Sequence, residues 1–155
     1  MFNRHRVLVI SKRQDLCDDL ATLISGYGYF VDRCQDRLEG IKRFRAYKQS
    51  IIIIDVPSLR RFSKRIFSLI RMIQHNAIIL VAAYKPENRL ALEHLKLGAY
   101  DILNLPLKTE FLINTLNRAQ SHHKMILENL FVKNILFFGL LMMPLWLLTA
   151  YLLIK

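Results

Sequence analysis

The chain has 155 residues, room for one ordinary domain and an appendage but not for two full domains, which excludes large multidomain enzymes. Hydrophobic residues make up 53% of it and mean hydropathy is +0.22, yet 23% of residues are charged and the formal net charge is +11, so the apolar excess has to be concentrated in one stretch. The only cysteines, Cys17 and Cys34, lack C-x-x-C spacing and favour free thiols over a disulfide, while adjacent His122 and His123 diverge by about 100° on a helix, so neither a metal site nor a cofactor is expected.

The N-terminus MFNRHRVLVI has a basic start, but its apolar run from Val7 to Ile10 is only four residues, too short for a signal-peptide core. From there to about residue 120 short β-branched runs alternate with longer amphipathic stretches, the pattern of an α/β fold with a parallel sheet and crossover helices. Five strands are predicted: Val7–Ile10, Tyr29–Arg33, Ile51–Asp55, Ile78–Ala82 and Asp101–Asn104. The first, third and fourth are apolar without alternation, as strands covered on both faces should be, and so form the centre. Helical periodicity falls near 14–25, 36–47, 58–75 and 87–97, and a last helix begins near Thr109. Breakers stand where turns are needed: Gly26-Tyr27-Gly28, Val56-Pro57, Lys85-Pro86 and Gly98.

Within the 58–75 helix, Leu59, Phe62, Ile66, Leu69, Ile70 and Ile73 form the expected buried stripe. No acidic residue lies between Asp55 and Glu87, whereas Arg60, Arg61, Lys64, Arg65 and Arg71 do, and Arg37, Lys42, Arg43, Arg45 and Lys48 precede them. This basic surface suits anionic lipid headgroups, at about 1 kcal/mol per residue near a charged leaflet, or an acidic protein partner. Nucleic acid is not expected, because no helix-turn-helix, RNP-like or zinc-finger element accompanies the charge. Nor does any serine sit in a G-x-S-x-G setting, and Gly26-x-Gly28 follows a helix rather than a strand, so the chain is not read as an enzyme.

Ile135 to Ile154 contains 20 uncharged residues, enough at about 1.5 Å per residue to span a hydrocarbon layer of roughly 30 Å. Pro144 lies mid-span and Trp146 towards the far half, where a kink beside Gly139 would admit a partner helix. Before it stand 22 basic and 12 acidic residues, after it only Lys155. The positive-inside rule then predicts a single-pass, tail-anchored protein of the cytoplasmic membrane, with its N-terminal domain in the cytoplasm and its C-terminus outside. With no glycine or proline between Leu107 and Gly139, residues 121–134 read as a helical connector between domain 1–120 and the span.

VLVIS at the first strand, IIIID ending in Asp55, ILVAA at the fourth strand and Gly98-Ala99-Tyr100-Asp101-Ile102-Leu103-Asn104-Leu105-Pro106 together resemble the receiver domain of two-component response regulators over roughly residues 5–120. The resemblance implies a flavodoxin-like (βα)5 sheet of order 2-1-3-4-5, with the site at the carboxyl ends of the first and third strands. It makes Asp55 the phosphoacceptor and implies a cis Leu105–Pro106 peptide. It also marks an output face over Glu87–Leu97, Tyr100–Asn104 and Thr109–Arg118. The remaining family positions are degenerate: the Mg²⁺-holding acids fall on Ser11 and Lys12, the hydroxyl on Ala82, the switch aromatic on Ile102 and the lysine on Leu105. Asp55, satisfied by Lys12 or by backbone donors, is then vestigial. The expected function is that of a non-catalytic pseudo-receiver, a scaffold, regulatory or accessory subunit of a membrane protein complex. The alternative is a working receiver phosphorylated on Asp55 by a histidine kinase.

Overall fold

The structure, a computed structural model, describes residues 6–59, 62–84 and 88–121 and scattered positions between 125 and 142. The chain divides into two compact units, Met1–His123 and Lys124–Lys155. In the first, β1 (Arg6–Ile10), α1 (Gln14–Gly26), β2 (Phe30–Cys34), α2 (Arg37–Tyr47) and β3 (Ile51–Asp55) are followed by α3 (Val56–Leu59) and α4 (Ser63–Ile73). Then come β4 (Ile78–Tyr84), α5 (Asn88–Lys96) and β5 (Asp101–Leu105), and a last helix, α6, over residues 109–121.

All five strands are parallel, in the order β2-β1-β3-β4-β5. The strands with unbroken apolar runs are the inner three, and all five residues of β3 are buried. Because successive side chains leave a strand on opposite faces, each run feeds two cores. Val7, Val9, Ile51, Ile53 and Leu80 pack against Leu16, Leu20 and Ile24 of α1 and Leu112 and Leu116 of α6. Leu8, Ile10, Ile52, Ile54 and Ile79 pack against Phe44 of α2 and Ile66, Phe67 and Ile70 of α4. Fully burying each such side chain is worth about 1.5–3 kcal/mol.

Local signals position the helices. The Asp36 carboxylate caps α2 by accepting from the backbone N–H groups of Leu38 (2.8 Å) and Glu39 (3.1 Å), bonds that hold its pKa below the usual carboxylate range. Gly40 lets α2 lie close on β1, since a Cβ there would stand 2.5 Å from Ile10 Cδ1. Leu105–Pro106 is cis.

Two expectations need correction. The single helix read over 58–75 is two, α3 and α4, because α4 begins only at Ser63. That start shifts the buried face: Phe67 is buried, whereas Phe62 precedes the helix, is 46% exposed, and lies under the Arg37 guanidinium at 4.3 Å.

In the second unit the described residues 132–135, 137, 138, 140 and 142 are helical. Among the described residues no helix is long and apolar enough to cross a membrane. Most of the predicted span lies outside the described residues, including Pro144, Trp146 and Ile154, as do His122, His123 and most of the 121–134 connector.

Candidate functional site

Parallel strands bring all their carboxyl ends to one edge of the sheet, and β1 and β3 stand at the point where strand order reverses. Asp55 ends β3 there. Its register partner on β4 is Ala82, and Ile10 lies beside Ile54, which puts Ser11 next to Asp55 on the other side. Asp55 is 2% exposed and Ser11 1%. The Ser11 Oγ–H donates to Asp55 Oδ2 at 2.5 Å, and the Ser58 backbone N–H donates to Oδ1 at 2.9 Å. Both carboxylate oxygens are therefore engaged by the chain itself. Ser11 is fixed in turn, its Oγ accepting from the Arg13 N–H at 3.1 Å and its own N–H donating to the Cys34 carbonyl at 3.0 Å.

Two side chains also meet at the rim of this edge. Arg13, just after β1, places its guanidinium 4.8 Å from the ring centre of Tyr84, the last residue of β4. Asp15 hydrogen-bonds the same guanidinium, which raises the Arg13 pKa and draws Asp15 below the usual carboxylate range. Beneath the rim, Cys17 and Cys34 are free and buried. Desolvation pushes the Cys17 thiol up and the Cys34 thiol up to about 11, keeping both neutral.

The structure brings three of the residues singled out from the sequence to one place and leaves a fourth out of it. Ser11, Ala82 and Asp55 do converge, whereas Lys12 is exposed and forms no ion pair with Asp55. A carboxylate already satisfied by a hydroxyl and a backbone donor needs no cation, and the lysine head stays in water. Ile102 and Leu105 are buried in the two cores rather than turned to the edge. Mg²⁺ demands hard, charged oxygen ligands, and here Asp55 stands between a hydroxyl donor and a methyl group. Among the described residues no three His, Cys, Asp or Glu side chains converge to hold an ion. These residues do not fit the metal on which phosphoryl transfer to a carboxylate relies.

The predicted basic surface is divided. Arg60 and Arg61 lie outside the described residues, and Lys64 and Arg65 are exposed on α4. Arg71 is a correction: it is a clamp, donating to the carbonyls of His75 (2.7 Å), Ala77 (2.8 Å) and Gly98 (2.9 Å), and so ties the end of α4 to the turn after α5. Gly98, at φ +100°, makes that turn in a conformation which side chains rarely adopt. Sequence reasoning also missed the Ser11 hydroxyl as a donor and the Arg13–Tyr84 stack. Only the adjacency of Ser11 to the first strand hinted at either.

No family model matches the chain. Over 113 residues it is 29% identical to the hybrid signal transduction histidine kinase D of Dictyostelium discoideum, a match covering 72% of this chain and 7% of that protein. The chain thus spans a small fraction of the curated relative's length. Parallel order 2-1-3-4-5 defines a flavodoxin-like α/β domain. More particularly, the fold is that of response-regulator receiver domains. The receiver domain protein from Clostridium thermocellum superposes with TM-score 0.72 at 20% identity, covering 78% of this chain and 98% of that one. A Burkholderia thailandensis protein assigned to pilus assembly (CpaE) superposes with TM-score 0.65 at 24% identity, covering 75% and 98%.

Proposed function

We propose that this chain is a receiver-fold domain that has given up phosphorylation and serves as a docking or accessory subunit of a membrane protein assembly, held at the cytoplasmic face by its apolar C-terminal stretch. The observation that carries this reading is the closed state of Asp55. Both of its oxygens accept hydrogen bonds from the chain, and the flanking metal positions are a serine and an exposed lysine. Phosphorylation would require breaking the Ser11 bond and neutralising a developing phosphoryl charge without a metal. What such a domain keeps is a rigid, well-packed surface, and the 20 uncharged residues from Ile135 are enough, as a helix, to hold it at a bilayer.

A second reading, phosphate accepted on Asp55 from a histidine kinase, draws on the kinase relative and on the carboxylate retained at the end of β3. Two experiments separate and extend these readings. Incubating the detergent-purified chain with acetyl phosphate and millimolar Mg²⁺ and weighing it intact should give no phosphoryl adduct; an adduct abolished by Asp55→Asn would favour the second reading. Purification through an N-terminal tag from gently solubilised membranes should return a partner at fixed stoichiometry, and recovery of the chain alone would defeat the subunit role.

A further inference from the structure

The helices α2 and α4 lie side by side on one face of the sheet and leave a groove of about 370 Å³ between them. Each helix presents the same stripe to it. Leu38, Ile41, Lys42 and Arg45 stand at i, i+3, i+4 and i+7 on α2, and Phe62, Arg65, Ile66 and Leu69 repeat that spacing at and within the start of α4. The floor is apolar: Ile66 is buried, Ile41 and Leu69 are partly so, and Leu38 stands exposed at the lip. Phe62 is held at the lip from the other side by the Arg37 stack.

The charge along this groove has one sign. Arg37, Lys42, Arg45 and Arg65 line it, and no carboxylate does. Of the two nearest acids on the chain, Asp36 caps α2 and Glu39 is paired with Arg43 on another side of the helix. Lys42, Arg45 and Arg65 form no ion pair among the described residues, although five other basic side chains do. Three cations without counter-ions beside exposed apolar side chains mark a surface complementary to a ligand that is both acidic and apolar.

We propose that this groove docks a short amphipathic helix of a protein partner, about two to three turns long, whose apolar ridge enters between α2 and α4 and whose flanking Asp or Glu side chains meet Lys42, Arg45 and Arg65. The eight residues from i to i+7 of each stripe rise about 10 Å, which matches two helical turns. The concave shape selects a protruding ridge of side chains over the flat surface of a bilayer. This assignment deepens the docking reading proposed above and rests on it.

The test uses the full chain in a nonionic detergent and a fluorescent synthetic helix with leucines at i, i+4 and i+7 flanked by glutamates. The acidic peptide should bind with saturation, should move the methyl resonances of Ile41, Ile66 and Leu69, and should weaken with added salt. Replacing its glutamates by lysines, or introducing Arg45→Glu with Arg65→Glu in the chain, should each cost at least about tenfold in affinity. Both substituted arginines are exposed and make no contact that the fold needs. Equal binding of the acidic and basic peptides, or binding that leaves the three groove methyls unmoved, would overturn the assignment. So would binding only to phosphatidylglycerol vesicles, with no peptide complex. Phosphorylation of Asp55 would defeat the claim that phosphorylation has been given up and leave docking and the groove standing, whereas a silent Asp55 with no peptide binding would defeat the groove alone.

Discussion

The carboxyl edge of the sheet and the α2–α4 groove lie on one small domain, and they treat their polar groups in opposite ways. At the edge Asp55 is buried and both its oxygens have partners within the chain, while nearby Arg13 pairs with Asp15 and stacks on Tyr84. In the groove, apolar side chains are left exposed and Lys42, Arg45 and Arg65 have no acidic partner among the described residues. The Asp55 carboxylate thus already has its partners within the chain, whereas the groove cations have none among the described residues.

Substitutions at either place put this contrast to the test, as does pH. The largest effect is expected from Ser11→Asp, which sets a second carboxylate against Asp55 in a buried place and should cost about 3 kcal/mol or more in denaturant unfolding. Millimolar Mg²⁺ should recover part of that loss, because the paired acids would then resemble a cation site. Asp55→Ala comes next: it strands the Ser11 hydroxyl and the Ser58 N–H, and about 1–3 kcal/mol of stability should be lost by the same measurement. A smaller effect attaches to pH. Because the folded Cys34 pKa is raised to about 11, its contribution is fully present below the unfolded thiol's value near 9.0 and is lost as pH rises through about 11. Denaturation midpoints should therefore fall over that window, and less so in Cys34→Ser. Smallest of all, Arg45→Glu with Arg65→Glu should change stability by no more than about 0.5 kcal/mol, since neither side chain touches anything the fold requires.

Much of the fold was legible because the runs VLVI, IIII and IILV can be buried only as central parallel strands, and burial on both faces is what the structure shows for them. The break between α3 and α4 was not, since Leu59, Phe62 and Ile66 continue a helical stripe on paper while the chain restarts at Ser63. Asp55, Ser11 and Ala82 were placed together by the resemblance to receiver domains, which implied both the strand order and the site. Their hydrogen bonds were not foreseeable, because whether Ser11 or Lys12 meets the carboxylate depends on which of two neighbours turns inward. Arg71 was misread for a related reason: the three carbonyls it binds come from two separate turns, and only the folded chain brings them within reach of one guanidinium.

Whether Asp55 is closed to phosphoryl chemistry is decided by adding beryllofluoride and Mg²⁺ to the isotopically labelled full chain and following the backbone amides of Ser11, Asp55, Ser58 and Ala82. A closed Asp55 leaves these resonances where they are. Saturable shifts at those four amides, lost in Asp55→Asn, would contradict it.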